Sequence, residues 1–271
     1  MDSIPVVELI WLVFLGLFAG AVGGLVGIGG SLIIIPVLTL VMDKSQHLSQ
    51  AAAMIVNVFV AAPSLFRHHQ AQTVRWDVMI RMLPFGLVFI LLGVWASNSF
   101  DGHALKKIFG VFLLYIIAFN VMKLFEEAKN NGEKPERTGW VPIGIVGIIM
   151  GFTAGLLGIG GGAIAAPLLQ RVCRLPLRQA IATSAAVMCI TASVGAWTKN
   201  VGLDKITNGT AGLIPVDYKD SLLIAACIVP TAIIGALFGA KLTHIIPLRI
   251  LRIAFIILMA LACVNMLGLM S

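Results

Sequence analysis

The stretch GLVGIGGSLIIIPVL, residues 24–38, returns 131 positions later as GLLGIGGGAIAAPLL, residues 155–169. Nine of the fifteen positions are identical, among them Gly27/Gly158, Gly29/Gly160, Gly30/Gly161 and Pro36/Pro167. Upstream, Gly16 and Gly20 match Gly147 and Gly151. Each copy lies inside a long apolar run, where an unbroken helix is the default because hydrocarbon offers the backbone no other hydrogen-bond partners. A glycine cluster followed by a proline interrupts that default once in each half of the chain. Paired interruptions of this kind point to the substrate site of a duplicated membrane transporter.

The rest of the composition agrees. Of 271 residues, 59% are hydrophobic and 11% charged, which is not a soluble globular balance. Eight apolar blocks stand out, at 5–42, 48–66, 78–97, 108–122, 140–170, 180–198, 221–240 and 253–270. Six are 15 to 20 residues long, near the length that crosses about 30 Å of hydrocarbon as a helix. The two that carry the motif are 38 and 31 residues, too long for one ordinary crossing. The net charge of +7 is spread over short connections beside apolar blocks, which is an orientation signal rather than a nucleic-acid surface. The segment MDSIP before the first block has no positive charge, and no small-residue cleavage site follows, so that block is read as retained. Cys173, Cys189, Cys227 and Cys263 form no CxxC and read as small buried hydrophobes. No metal or cofactor is expected.

The duplication runs past the motif. Gln50-Ala51 matches Gln179-Ala180, and Pro84 and Gly93 match Pro230 and Gly239 with the same spacing. The division is a first repeat at 1–122, a polar linker at 123–139 and a second repeat at 140–271. If every block crosses the membrane once, the Lys and Arg of the connections split nine against ten, which is no bias. If each long block is instead a hairpin returning to its own side, the split becomes thirteen against six. The thinner side then carries Lys44, Lys106, Lys107, Lys199, Lys205 and Lys219, the last three in a connection at 199–220. Such an excess marks the cytoplasmic side. The expectation is an all-α polytopic membrane protein of ten segments in eight apolar blocks. Each repeat is a broken Gly-rich hairpin plus three transmembrane helices, and the odd number of five segments inverts one repeat against the other. Both termini lie outside the cytoplasm and the linker inside.

Gly27, Gly29 and Gly30 admit backbone angles that other residues avoid, and they leave the backbone uncovered. GIGGSLIII is expected to run partly extended, with a short helix beginning near Ser31 or at Pro36, since proline suits a helix's first turn. The free N–H groups and positive dipole end of that helix would favour an anion. Gly158, Gly160, Gly161 and Pro167 repeat the arrangement, and Gly162 replaces Ser31. Close helix packing is the competing reading for all these glycines. It is the preferred one for Gly16, Gly20, Gly24, Gly147, Gly151 and Gly155. The following helices add Asn57 and Ser64 in the first half, and Thr183, Ser184, Thr191 and Ser193 in the second. Asn57 is the costliest of these to bury unpaired, while Thr191 and Ser193 can satisfy themselves on their own helix. All twelve Asp and Glu fall in loops or at block ends, so a carboxylate relay for protons or Na⁺ is not expected. Arg81 and Lys241 reach furthest into apolar blocks and read as snorkelling anchors before they read as anion attractors.

Two copies of G-x-G-G-x-x-x-x-x-P-x-L, each followed by a helix opening Q-A-x-A, resemble the TauE/SafE family of membrane anion exporters. The loop HHQAQTVRWD at 68–77 is also similar to that family's basic connection. The resemblance covers essentially the whole chain. It implies an inner-membrane protein moving small sulfur-containing or organic anions, such as sulfite or sulfonates, often outward. It places the site on Gly27, Gly29, Gly30, Pro36, Gly158, Gly160, Gly161 and Pro167, with Thr183-Ser184. In the first half Met54-Ile55 stands where the family pattern has Thr-Ser.

The expected function is therefore a secondary transporter or exporter of a small anion such as sulfite, or a sulfonate such as sulfoacetate. The anion is bound near the midplane by Gly27, Gly29, Gly30, Ser31, Asn57, Gly158, Gly160, Gly161, Gly162, Thr183 and Ser184, with Pro36 and Pro167 as structural elements. The alternative is an anion channel using the same motif as a fixed filter. No HExxH, GxSxG or paired intramembrane carboxylates suggest an enzyme. The expected partners are the small anion and the bilayer, with no nucleic acid; a homodimer is an assembly this reading allows.

Overall fold

In the computed structural model, residues 5–26, 29–126, 135–207, 217–242 and 248–268 are described. Among them the apolar runs form ten helices, five before the linker and five after it. The first five are α1 (Val6–Val26), α2 (Ser31–Leu40), α3 (Gln46–Gln70), α4 (Trp76–Ser99) and α5 (Gly102–Glu126). The second five are α6 (Trp140–Leu157), α7 (Gly162–Arg171), α8 (Leu177–Thr207), α9 (Tyr218–Leu242) and α10 (Leu248–Met266). Seven contain stretches long and apolar enough to cross a membrane. Helices α2 and α7 are only 10 residues each, about 15 Å or half a hydrocarbon thickness. Both long blocks are thus split at their glycines. The chain is an all-α polytopic membrane protein.

Three expectations need correction. Helix α2 begins at Ser31 and α7 at Gly162, so Pro36 and Pro167 lie inside the short helices rather than in their first turns. A proline there removes one backbone donor, a loss the rest of the short helix absorbs. The interruption is also briefer than the extended GIGGSLIII implied, because Ile33 and Ile34 already donate to Gly30 O at 3.0 Å each. Finally, Lys199 is not in a loop. Helix α8 runs on through Thr207, and Lys199 is 0% exposed.

The upstream glycines pack helices. In α1, a Cβ at Gly16, Gly20 or Gly24 would collide with the α9 backbone at Ile228, Ala232 or Ala236. In α6, a Cβ at Gly147, Gly151 or Gly155 would strike the α4 backbone at Met82, Gly86 or Ile90. The first helix of each half therefore packs on the fourth helix of the other half, at a separation only glycine permits. The outward face of α1 exposes Val6, Val7, Ile10, Trp11, Phe14 and Phe18, an apolar surface suited to lipid.

Helices α3 and α8 pack together at the centre. Three contacts fix the ends of this arrangement. Lys199, late in α8, meets His47 at the start of α3 and Asn98 at the end of α4. At the other end, Thr183, early in α8, accepts from the Arg75 N–H just before α4, at 3.1 Å. The two helices run in opposite directions. Arg81, half-buried, donates to Thr138 O at 2.7 Å and lies over the Trp140 ring, which ties α4 to the start of α6.

Candidate functional site

The second glycine break is fully described. Helix α6 stops because Gly158 turns left-handed, with φ 76° and ψ 16°, and its N–H closes on Ala154 O at 3.0 Å. Gly160 and Gly161 follow at φ 71° and 89°, and α7 starts from Gly161. In the first break Gly29 has φ 78°, whereas Gly30 is right-handed at φ −83°. Gly27 lies outside the described residues. Neither Gly30 nor Gly161 supplies a side-chain cap to the helix it begins. Each short helix thus presents its first amides and its positive dipole end with no capping oxygen.

Both breaks converge on one side chain. A Cβ at Gly29 would lie 2.8 Å from Asn57 Oδ1, and a Cβ at Gly160 would lie 2.8 Å from Asn57 Nδ2. The Asn57 amide is therefore held between the two glycine backbones, and a methyl group on either would drive into it. Asn57 is 0% exposed, and neither Oδ1 nor Nδ2 has a hydrogen-bond partner among the described residues. A buried amide without partners costs about 1–3 kcal/mol.

The halves touch here directly. The Ser31 hydroxyl donates to Ile159 O, across the two breaks, at 3.1 Å. Gln50, two turns before Asn57 on α3, packs its Cβ where a Gly158 Cβ would be 2.7 Å away, and its Nε2 donates to Leu156 O at 3.3 Å. The Met188 sulfur from α8 completes the contact around Gly29.

Gly29, Gly160, Ser31 and Asn57 are thus brought together, with Gly30 and Gly161 opening the two short helices beside them. Gly162 is the first residue of α7 and is buried. Thr183 and Ser184 are both 0% exposed, but their hydrogen bonds lead elsewhere. Thr183 accepts from the Arg75 N–H, and Ser184 donates to Ile181 O of its own helix at 2.9 Å. Thr191 and Ser193 bond to their own helix at Val187 O and Cys189 O. Arg75 also pairs with Asp77 and Glu136, and these two carboxylates hold its guanidinium above its ordinary value.

The starts of α2 and α7 bring two positive dipole ends to the breaks. Among the described residues, no Asp or Glu is buried. Sequence reasoning missed Gln50 as part of this neighbourhood, although its match with Gln179 had marked it. It also missed the buried His47, Ser97 and Lys199, because Lys199 stands at the edge of an apolar block where a loop is the simpler reading.

The chain matches the family described as sulfite exporter TauE/SafE over residues 12–266. It is 26% identical to the probable membrane transporter protein MamO of Paramagnetospirillum magneticum, across 97% of this chain and 45% of that protein. It is 28% identical to a probable membrane transporter protein of Methanocaldococcus jannaschii, across 78% of this chain and 83% of the other. With the probable membrane transporter protein YunE of Bacillus subtilis the identity is 25%, across 93% and 95%. The chain spans about half the length of the MamO relatives it matches. No solved structure matches it.

Proposed function

This chain belongs to the sulfite exporter TauE/SafE family, and on that premise we propose that it is a secondary transporter exporting a small anion across the inner membrane. Sulfite, or a sulfonate such as sulfoacetate, is the substrate class. The carrying observation is the Asn57 amide, buried and unpartnered between Gly29 and Gly160. The anion sits where α2 and α7 begin, taking N–H groups from the two uncapped helix starts and from Asn57 Nδ2. Anions gain from such an end through both the free donors and the dipole. Because no carboxylate is buried among the described residues, nothing on these elements repels the solute.

The two repeats, 1–122 and 140–271, are inverted in the membrane on this reading, with the linker at 123–139 cytoplasmic and both termini outside. The opposite directions of α3 and α8 support it, as does the exchange of packing between α1 with α9 and α6 with α4. Passage comes from one half moving against the other around the paired breaks. Ser31 to Ile159 and Gln50 to Leu156 are contacts this motion must preserve or exchange.

Flux in proteoliposomes tests the proposal with sulfite, sulfate, sulfoacetate and small carboxylates as probes. Saturable anion movement with counter-transport is expected. Movement of cations alone overturns it, and anion flux that neither saturates nor exchanges favours a fixed filter.

A further inference from the structure

Lys199 makes no direct hydrogen bond to the glycine breaks among the described residues. It is 0% exposed within α8, and no carboxylate pairs with it among the described residues. Its ammonium donates to Ser97 Oγ at 2.7 Å and Asn98 Oδ1 at 2.9 Å, and lies 3.1 Å from His47 Nδ1. All three partners are neutral and all come from the first half of the chain. Dipoles alone compensate a buried ammonium poorly, and an ionisable side chain buried among membrane-spanning helices is a natural candidate for a functional role.

The surroundings supply further donors. One residue before His47, the Gln46 side chain is 4% exposed, and both of its amide atoms lack a partner among the described residues. The network also leads inward. Ser97 donates to Gln50 Oε1 at 3.0 Å, and Gln50 donates to Leu156 O, where the second break begins. Gln50 and Asn57 are seven residues apart on α3, about 10 Å along its axis.

We propose that Lys199, with His47, Ser97, Asn98 and Gln46, forms a second anion-binding station, at the end of the molecule where α3 begins and α8 ends. It takes the same class of small oxyanion as the glycine breaks, and it rests on the transport reading. A charged acceptor displaces the neutral ones from the ammonium, since hydrogen bonds between two ionised groups are the stronger. The anion then passes between this station and Asn57 without leaving donors behind.

Sulfite flux into right-side-out and inside-out vesicles separates the possibilities, with full-length wild type and the variants Lys199→Gln and Lys199→Arg. Lys199→Gln is expected to raise the KM about tenfold or more for sulfite presented at the Lys199 end. For sulfite presented at the opposite end, the KM stays within about threefold, and Lys199→Arg recovers most of the loss. Ser97→Ala gives a smaller one-sided rise, and it stands in if Lys199→Gln does not reach the membrane folded. A KM that is unchanged, or that rises equally from both ends, overturns the station while wild-type flux leaves the transport reading intact. Absence of wild-type anion flux overturns the transport reading itself.

Discussion

Asn57 decides most at the scale of single residues, because its amide is buried with no partner among the described residues. Leucine has the same number of side-chain heavy atoms, branched at the same carbon, and has no polar atoms to satisfy. Asn57→Leu is therefore expected to raise the unfolding free energy by about 1–3 kcal/mol while abolishing anion flux. Thermal unfolding in detergent and proteoliposome flux, measured on the same preparation, check this; loss of both would make Asn57 a structural residue. Gly30 and Gly161 offer a second contrast, since they match in sequence but not in conformation. Gly161 has φ 89°, and a Cβ there would strike Met150. Gly161→Ala is expected to destabilise by about 1–2 kcal/mol from the backbone alone, with the clash added. Gly30 has φ −83°, and its Cβ would lie 3.2 Å from the flexible end of Ile34 and 3.3 Å from Ala19 O, tight contacts that a shift of a few tenths of an ångström relieves. Gly30→Ala should shift stability by less than about 1 kcal/mol. Equal effects in thermal unfolding would mean that the two breaks have the same backbone path.

At the scale of elements, the glycines of α1 and α6 set how closely two helix pairs approach. A Cβ at Gly20 meets the backbone of Ala232, and one at Gly151 meets Gly86 O. Backbone cannot yield as a side-chain tip can. Gly20→Val and Gly151→Val are each expected to cost about 3 kcal/mol or more and to reduce folded yield in the membrane. Gly102 is the control, because its nearest neighbour beyond its own chain segment is Gln46 Cβ at 4.0 Å. Gly102→Ala should be neutral or stabilising by up to about 1 kcal/mol. Size-exclusion profiles and thermal unfolding of the three variants decide it. These packing glycines were legible as a spacing of four in each repeat, since that spacing puts them on one helix face. The full length of α8 was not. Thr198, Lys199 and Asn200 resemble the start of a loop, yet Thr198 and Asn200 bond back to Val194 O and Ala196 O of their own helix, and tertiary partners hold Lys199 through Ser97 and Asn98 and Asn200 through Ser221.

For the molecule as a whole, the proposed topology, two hairpins that return to their own side and three crossings per half, would leave both termini on one face. Reporter fusions at the N- and C-termini are expected to read non-cytoplasmic, and a fusion within the linker cytoplasmic; a cytoplasmic signal from either terminus refutes the arrangement. Removing Lys199 from the loop charges sharpens the bias that suggested this orientation, because it came from the thinner side. Apolar run lengths, the doubled glycine cluster and the charge pattern depend only on local order along the chain, so the sequence alone determined ten helical segments in two halves, broken at two matched places. Which polar groups meet depends on contacts between residues distant in the chain: Ser31 with Ile159 and Lys199 with Ser97, each more than a hundred positions apart, and Asn57 between Gly29 and Gly160. Thr183 and Asn57 looked alike as intramembrane polar residues, yet the fold spends one on the Arg75 amide and leaves the other unpaired. That distinction belongs to the packing of α3 against α8, which no local pattern encodes.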